Sequence, residues 1–208
     1  MKKIFAVILI LLASVYSFAQ ELTFRSVCDG LAKNRTTKGE FIQEKTIGKT
    51  GRVLKSKGKF IFCREGILWS TEKPFPSTLV VGQDYMVRVS SDGTRKTMDA
   101  KDNDVFKSIS SSMMGVFSND VAILENEFDV VFTTDENNVW TAVLEPKDST
   151  AAIFMKQLIL KGRSSDGHSE MDSVELNEAK GNKVLYAFMN QSHPEELGKD
   201  EKSYFLER

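Results

Sequence analysis

The sequence predicts a mainly β protein, built from one antiparallel sheet of roughly ten strands with a few inserted helices. Short segments rich in β-branched and aromatic residues follow one another closely, and turn residues such as Gly66, Pro74 and Asp92-Gly93 separate them. The intervals are too short for the crossovers that parallel strands need, so neighbouring strands should run antiparallel. A sheet of that length is expected to curl on itself.

The N-terminus has the pattern of a secretory signal peptide. Lys2 and Lys3 precede an almost wholly apolar stretch over residues 4–15, and Ser17-Phe18-Ala19 supplies the small residues of a cleavage site. The stretch is shorter than the about 20 residues of a membrane-spanning helix. We therefore expect cleavage after Ala19, export to a bacterial periplasm, and one domain over residues 20–208. The net charge of −1 lacks the basic excess of a nucleic-acid binder, so no nucleic-acid partner is expected.

Helical spacing is found before the sheet and again in its middle. The first helix is predicted from apolar residues on one face, and residues 36–39 should end it. A second helix is predicted after the capping residues at 102–104, and a short one over residues 120–124. The apolar stripe of the first is Phe24, Val27, Cys28 and Leu31; that of the second is Val105, Ile109, Met113 and Val116, with Phe106 and Phe117 beside it.

The remaining apolar segments predict strands, with turns at Asn137-Asn138, Gly162, Asp166-Gly167 and Gly181-Asn182. Tyr204-Phe205-Leu206 is predicted as a last edge strand. The other predicted strands cover residues 40–46, 58–64, 67–71, 78–81, 85–90, 95–99, 128–134, 139–145, 153–161, 173–177 and 183–190.

Several of these strands are apolar on both faces, as in Phe60-Ile61-Phe62-Cys63, Ile153-Phe154-Met155 and Leu158-Ile159-Leu160. A sheet with one face in water would alternate apolar and polar residues, and the predicted helices are too few to cover both faces. The curled face should therefore close on itself or hold an apolar ligand. Periodicity leaves open whether the interior is filled or hollow, because the 12 Phe and 7 Met after residue 19 suit either a soft cavity lining or a Phe-rich core.

Residue constellations for catalysis or metal binding are not found, so we predict a protein that is not an enzyme and uses no cofactor. His168 and His193 are expected in exposed loops. The segment Gly48-Lys49-Thr50 has no glycine at the position that opens a P-loop. Cys28 and Cys63 are expected to be two buried small hydrophobes, although an oxidising compartment would also allow a disulfide between them.

The order of motifs along the chain resembles that of the outer-membrane lipoprotein carrier family, the LolA-like periplasmic chaperones. The segments that carry the resemblance are Phe41-Ile42-Gln43, Gly58 to Arg64, Leu68-Trp69, Pro74, Leu79-Val80-Val81-Gly82, Phe128-Asp129-Val130, Trp140 to Pro146, Gln157 to Leu160, and Gly181 leading into Tyr186 to Asn190. These short motifs extend over nearly the whole chain after the signal peptide.

The resemblance implies an incomplete, half-open barrel of about eleven strands, with a helical lid over an apolar cavity. It also implies a carrier that takes lipoprotein or other acylated lipid cargo from an inner-membrane ABC transporter to an outer-membrane receptor; we expect it to act as a monomer. The candidate cavity residues are Phe60, Phe62, Trp69, Leu79, Val81, Val105, Ile109, Met113 and Phe117.

Arg64 matches the position of the family's functional arginine, which faces the cavity and bonds to the lid backbone. Two departures leave its role open: Glu65 stands where the family usually has proline, and the interval to Trp69 is one residue shorter. Arg64 is therefore either a gate or a surface arginine paired with an acid. The cargo is open too, because a glycolipid or other envelope lipid fits the same cavity. A non-catalytic module that docks a protein on its apolar sheet face is the other alternative.

Overall fold

The computed structural model describes residues 21–82, 85–99 and 121–206, and it confirms a mainly β fold with an open antiparallel sheet. The sheet has eleven strands in the order β6-β5-β4-β3-β2-β1-β11-β10-β9-β8-β7. The strands are β1 (Thr36–Thr46), β2 (Val53–Cys63), β3 (Gly66–Lys73), β4 (Ser77–Val81), β5 (Tyr85–Ser90), β6 (Arg95–Asp99), β7 (Phe128–Thr134), β8 (Val139–Pro146), β9 (Met155–Ser165), β10 (His168–Glu178) and β11 (Lys183–Ser192). The helices in the described ranges are α1 (Phe24–Ala32), α2 (Val121–Glu127), α3 (Ser149–Ala152) and α4 (Lys199–Leu206).

Two meanders make up the sheet, and the pairing of β1 with β11 joins them. Strands β1 to β6 extend the sheet in one direction, and β11 back to β7 extend it in the other. Phe41 pairs with Gly58 of β2 on one side and with Phe188 of β11 on the other. Because side chains alternate between faces along each strand, this register places Phe41, Phe60 and Phe188 on one face of the sheet.

We call this the inner face, since α1 packs against it and the larger core cluster lies there. The capping box of Thr23 and Ser26 begins α1, whose buried side recurs at the predicted helical spacing. Gly30 allows α1 to approach β10 closely, because a Cβ at that position would collide with Ser169. The buried residues of the inner cluster are Phe24, Val27, Cys28, Leu31, Phe41, Phe60, Phe62, Ile67, Val81, Val121, Leu124, Phe128, Trp140, Ala142, Leu144, Met155, Leu160, Met171 and Phe188.

The outer face of the first meander is covered by α4, and this overturns one prediction. The segment Tyr204-Phe205-Leu206 was expected as an edge strand, but it ends a helix. Leu197 and Phe205 pack on the outward side chains of β2 to β5, and the Tyr85 hydroxyl donates to the Phe205 carbonyl over 2.9 Å. The apolar outer positions that they cover are Ile61, Cys63, Leu68, Val80 and Val87. The outer apolar residues of these strands therefore meet a helix rather than a ligand.

Three smaller predictions are also wrong. Ile153 and Phe154 precede β9 instead of starting it, because α3 takes up the connection from β8, and both side chains are exposed. Gly162 lies within β9 rather than in a turn. At this position in β9 the Trp140 indole occupies the space that a side chain would need. Residues 36–39 begin β1 instead of ending α1, since β2 and β11 pair with this segment.

Helices long and apolar enough to cross a membrane are not found in the part of the chain that the structure describes.

Candidate functional site

The inner face carries a cluster of six aromatic side chains from β1, β2, β3 and β11. Trp69 is its centre, with its ring centroid 4.5 Å from Phe41 and 4.8 Å from Tyr186. Phe60 and Phe188 are also 4.8 Å apart, and Phe62 completes the cluster. Each tilted or edge-on pair of this kind stabilises the fold by about 0.5–1.5 kcal/mol beyond the contribution of its buried area. The cluster therefore forms a firm aromatic wall on one half of the inner face.

Gly39 allows this wall to form across a strand. It pairs directly with Phe60 in β2, and along the inner face of β1 it is next to Phe41, which pairs with Phe188. A Cβ at Gly39 would lie 3.1 Å from the Phe60 ring and 2.7 Å from the Met189 carbonyl oxygen. Without a side chain there, the two phenyl rings meet above β1.

An apolar surface that is only half-buried includes Trp69 and Tyr186 of the wall and continues onto the second meander. We call it the half-buried apolar surface. Its members pack on the buried inner cluster but keep part of their area accessible: Leu22, Trp69, Leu79, Met86, Val130, Phe132, Leu158, Val174, Leu176 and Tyr186. Under α1, in contrast, Trp140, Ala142 and Leu144 are fully buried, so that part of the inner face is closed core. The arrangement offers an apolar ligand an extended surface on a rigid sheet.

Five of the predicted cavity residues come together on the inner face, namely Phe60, Phe62, Trp69, Leu79 and Val81. Trp69 and Leu79 are half-buried and directly paired, whereas the other three are buried. Val105, Ile109, Met113 and Phe117, predicted for the lid helix, lie outside the described residues. Ligand binding by all nine residues stays a prediction.

The structure places Arg64 differently from the sequence prediction. Strand β2 ends at Cys63, and Arg64 and Glu65 form the turn into β3 with both side chains exposed. Arg64 was predicted as the last residue of its strand, but it lies in the turn, where the alternation of the strand no longer decides which face a side chain takes. Its role as a gate stays a prediction.

Sequence reasoning missed the part of the surface contributed by the second meander. Val174 and Leu176 pair with Tyr186 and Val184 on one side and with Leu160 and Leu158 on the other. The i, i+2 spacing of Val174 and Leu176 was a usable signal for one apolar face. Nothing in the spacing alone, however, says that this face continues the one that bears Trp69.

Burial raises the pKa of one tyrosine and two cysteines in the inner and outer clusters. Burial raises the pKa of the Tyr186 phenol to about 12, and the charge of Glu178 adds to that effect. Burial is also the main cause that raises the pKa of both thiols, Cys28 and Cys63, to about 12. Among the described residues, no group of three or more His, Cys, Asp or Glu side chains could hold a metal ion. The inner face is suited to apolar contact.

His168 and His193 are both exposed, as predicted, although His168 begins β10 rather than lying in a loop. His193 lies after β11, where its Nδ1 is 3.1 Å from the Thr37 hydroxyl and its Nε2 is 3.4 Å from a Glu170 carboxylate oxygen. This histidine therefore connects the start of β1 to β10 at the surface.

Comparison with known proteins supports the fold and identifies the family. The family model described as outer membrane lipoprotein carrier protein LolA matches residues 32–201. A search of curated protein sequences found no match. Among solved structures, a DUF1329 family protein from Desulfovibrio piger ATCC 29098 is similar over 88% of this chain and 94% of its own, with 11% identity and a TM-score of 0.52.

A LolA superfamily protein from Nitrosomonas europaea is similar over 85% of this chain and 94% of its own, with 6% identity and a TM-score of 0.47. The family match runs from the last residue of α1 to the start of α4, and it includes the whole sheet and the half-buried apolar surface from Trp69 to Tyr186. The chain belongs to the LolA family of outer membrane lipoprotein carriers, a family of periplasmic carriers of lipids or lipoproteins.

Proposed function

We propose that this protein shelters the acyl chains of lipoproteins against the half-buried apolar surface and carries them from the inner to the outer membrane. The observation that carries the proposal is the surface itself, where Trp69, Leu79 and Tyr186 are held half-buried on a rigid sheet. Burying an acyl chain away from water stabilises it by about 0.8 kcal/mol per CH₂ group. A long chain can therefore leave a membrane only when an apolar surface of this kind receives it.

The proposal includes export. A signal peptide cleaved after Ala19 would release residues 20–208 as one carrier domain into the periplasm, between the two membranes that it serves. Family membership supports an inner-membrane ABC transporter as the donor of cargo and an outer-membrane receptor as its acceptor. The carrier works without catalysis, since handing over an acyl chain breaks and forms no covalent bond.

Native mass spectrometry of the protein purified from a bacterial periplasm is the direct test. We expect a stoichiometric adduct, from which solvent extraction releases an acylated species. An acylated peptide or protein identifies lipoprotein cargo, whereas a sugar or phosphate head group on the acyl species overturns the lipoprotein part of the proposal. A bare mass together with no uptake of an added fluorescent fatty acid overturns the carrier proposal and favours a protein-docking module.

A pair of matched variants locates the binding surface. Leu79→Glu puts a charge on the half-buried apolar surface at a position that tolerates partial exposure, and we expect it to abolish uptake of the fluorescent fatty acid. Val131→Glu is the control, because Val131 is 63% exposed and lies on the outer side of β7. Equal uptake by both variants would place the acyl chain elsewhere.

A further inference from the structure

Two cations stand directly opposite each other on the inner face, at the edge of the half-buried apolar surface. Arg88 of β5 pairs with Lys96 of β6, and on its other side Arg88 pairs with Leu79 of β4. Arg88 has the same strand parity as the inward-packing Met86, so both cations share the face that bears the apolar surface. Directly opposed residues have Cβ atoms about 4.5–5.5 Å apart.

Such a pair is unfavourable by itself, because like charges directly opposite one another destabilise a sheet. The inward positions of β3 to β6 in the described range hold no Asp or Glu, so no acidic side chain there offsets the repulsion between the two cations. The nearby acids Glu72 and Asp99 have the opposite parity and face outward. An anion placed between the two cations would turn their repulsion into attraction.

A row of hydroxyl side chains lies beside the cations. Thr71 of β3 pairs with Ser77 of β4, and Ser77 pairs with Ser90 of β5. All three are half-buried and face inward, one step along the strands from Trp69, Leu79 and Arg88. Hydroxyl donors next to two cations suit the oxygens of a phosphate or carboxylate.

On the other side of the cations, the inner face is apolar. Met86 pairs with Met98 directly beyond the Arg88–Lys96 pair, and Val81 and Ile67 continue this row. Along the strands, therefore, apolar side chains give way to cations and then to hydroxyl groups. This order matches an amphiphile whose acyl chain lies on the apolar rows and whose head group is anionic.

We propose that Arg88 and Lys96, with Thr71, Ser77 and Ser90, form a head-group site for a phosphate or carboxylate attached to the bound acyl chain. This inference rests on the proposed function, because it assigns the polar end of the ligand that the apolar surface would hold. For the lipoprotein cargo proposed above, the anion would be a carboxylate of the acylated peptide that lies close to the chain; a phosphate at this site would mean an acyl lipid as the cargo instead.

Two probes with the same chain and different heads test the site: dodecyl phosphate and the uncharged dodecyl maltoside, both below the concentrations at which they form micelles. Binding is followed by isothermal titration calorimetry at low salt, where screening is weakest. We expect dodecyl phosphate to bind about ten-fold more tightly, and added salt to reduce the difference. Inorganic phosphate alone is the third probe, and it should bind far more weakly than dodecyl phosphate.

The variant that tests the residues is Arg88→Gln/Lys96→Gln. It should bring the two dodecyl compounds to equal affinity, while Arg88→Lys, which keeps the charge, should retain most of the preference. The control Lys55→Gln/Lys59→Gln removes two positive charges from the outer face of β2, where Glu44 and Glu72 pair with them. It should leave the preference unchanged. Removing the opposed cations should not lower the melting temperature, since their repulsion is relieved.

The outcomes separate this inference from the proposed function. Equal affinities in the wild type, or a preference that survives in Arg88→Gln/Lys96→Gln, would overturn the head-group site and leave the carrier intact. Failure of both dodecyl compounds to bind would overturn the carrier and the head-group site together. If inorganic phosphate bound as tightly as dodecyl phosphate, the proposal that the anion belongs to a lipid would be overturned, and the site would be one for free phosphate.

Among the described strands β6 lies at the edge of the sheet, and a charge such as that of Lys96 on an edge strand can have a different role, because it discourages aggregation. If protection of the edge were the whole role of Arg88 and Lys96, the double variant would aggregate while still preferring dodecyl phosphate. That result would also overturn the proposal.

Discussion

The ring centroid of Trp69 lies 4.8 Å from that of Tyr186, although two whole strands separate β3 from β11. Neighbouring strands are about 4.8 Å apart, so these backbones are about 14 Å apart along the sheet. Side chains standing straight up from a flat sheet would not meet over that distance. They meet here because both rings lean over the intervening strands toward Phe41, whose ring centroid lies 4.5 Å from that of Trp69 and 6.1 Å from that of Tyr186.

The ionisation of Tyr186 offers a test of this packing. Burial raises its pKa to about 12 from an ordinary value of 10, so Tyr186 should stay protonated while an exposed phenol titrates. We expect tyrosinate absorbance titrations of the wild type and Tyr186→Phe to overlap through pH 10 and to separate only toward pH 12. In denaturant the two curves should already differ near pH 10. Separation near pH 10 in the folded proteins would contradict the buried position.

The same shift gives a dependence of stability on pH. Because the folded pKa is above the unfolded one, Tyr186 contributes stability that is complete below pH 10 and is lost as the pH rises through about 12. Tyr186→Phe should therefore flatten the alkaline decrease in the free energy of unfolding. Urea unfolding at several pH values measures it, and an unchanged slope would contradict the prediction.

Gly39→Ala should destabilise the protein through the aromatic wall. The added methyl group would lie 3.1 Å from the Phe60 ring and 2.7 Å from the Met189 carbonyl oxygen, so strands or rings must move apart. Overpacking of this kind lowers the free energy of unfolding by about 1–3 kcal/mol. Urea denaturation measures the change. Gly198→Ala is the control, since its methyl would meet only the Glu201 carboxylate, at 3.4 Å; equal losses in both variants would speak against the wall.

Phe205→Ala should expose the Cys63 thiol. Phe205 and Cys63 belong to the same outer cluster, and burial is the main cause of the high pKa of that thiol, about 12. Without the Phe205 side chain, α4 should detach from the sheet, and the pKa of the Cys63 thiol should return toward its ordinary value. Labelling of this thiol by a thiol reagent should then accelerate at least about ten-fold. The measurement uses a Cys28→Ala background. Tyr204→Ala, at an exposed position on the same helix, should leave the rate unchanged; slow labelling in both variants would contradict the role of α4.

Cys28 and Cys63 should remain two free thiols even after export. Cys28 packs in the inner cluster through α1, whereas Cys63 lies in the outer cluster, so the sheet stands between them. A disulfide requires Cα atoms within about 7 Å and Cβ atoms that point toward each other. Alkylation of the unfolded protein without reductant should add two groups, as measured by mass. Protection of both thiols until reductant is added would contradict this arrangement.

Much of the sheet was predictable because its signals are local. Turn residues at Asn137-Asn138, Asp166-Gly167 and Gly181-Asn182 divide the chain where the structure does. The stripe of α1 was equally readable, since Phe24, Val27, Cys28 and Leu31 repeat at the spacing of one helical face. The errors fall on segments whose partners are distant, such as Ile153-Phe154 and the C-terminal helix.

The candidate site was only partly predictable for the same reason. Phe60 and Phe62 share a face by alternation within β2, so this part of the aromatic wall was predictable, whereas Trp69 joins them through the pairing of β2 with β3. Arg64 was predicted within the strand but lies in the turn, because the end of β2 depends on where β3 returns to pair with it. The opposition of Arg88 and Lys96 depends on the register of two strands, which neither segment shows when read alone.

By itself the sequence determined the class of fold, the run of antiparallel strands and the apolar character of several strands on both faces. These follow from residue type and short-range spacing, which act within a few positions along the chain. Only the tertiary structure decided which apolar residues are covered by α4 and which remain half-buried on the inner face with Trp69. That division depends on contacts between strands and helices far apart in the chain, and the spacing of residues does not encode it.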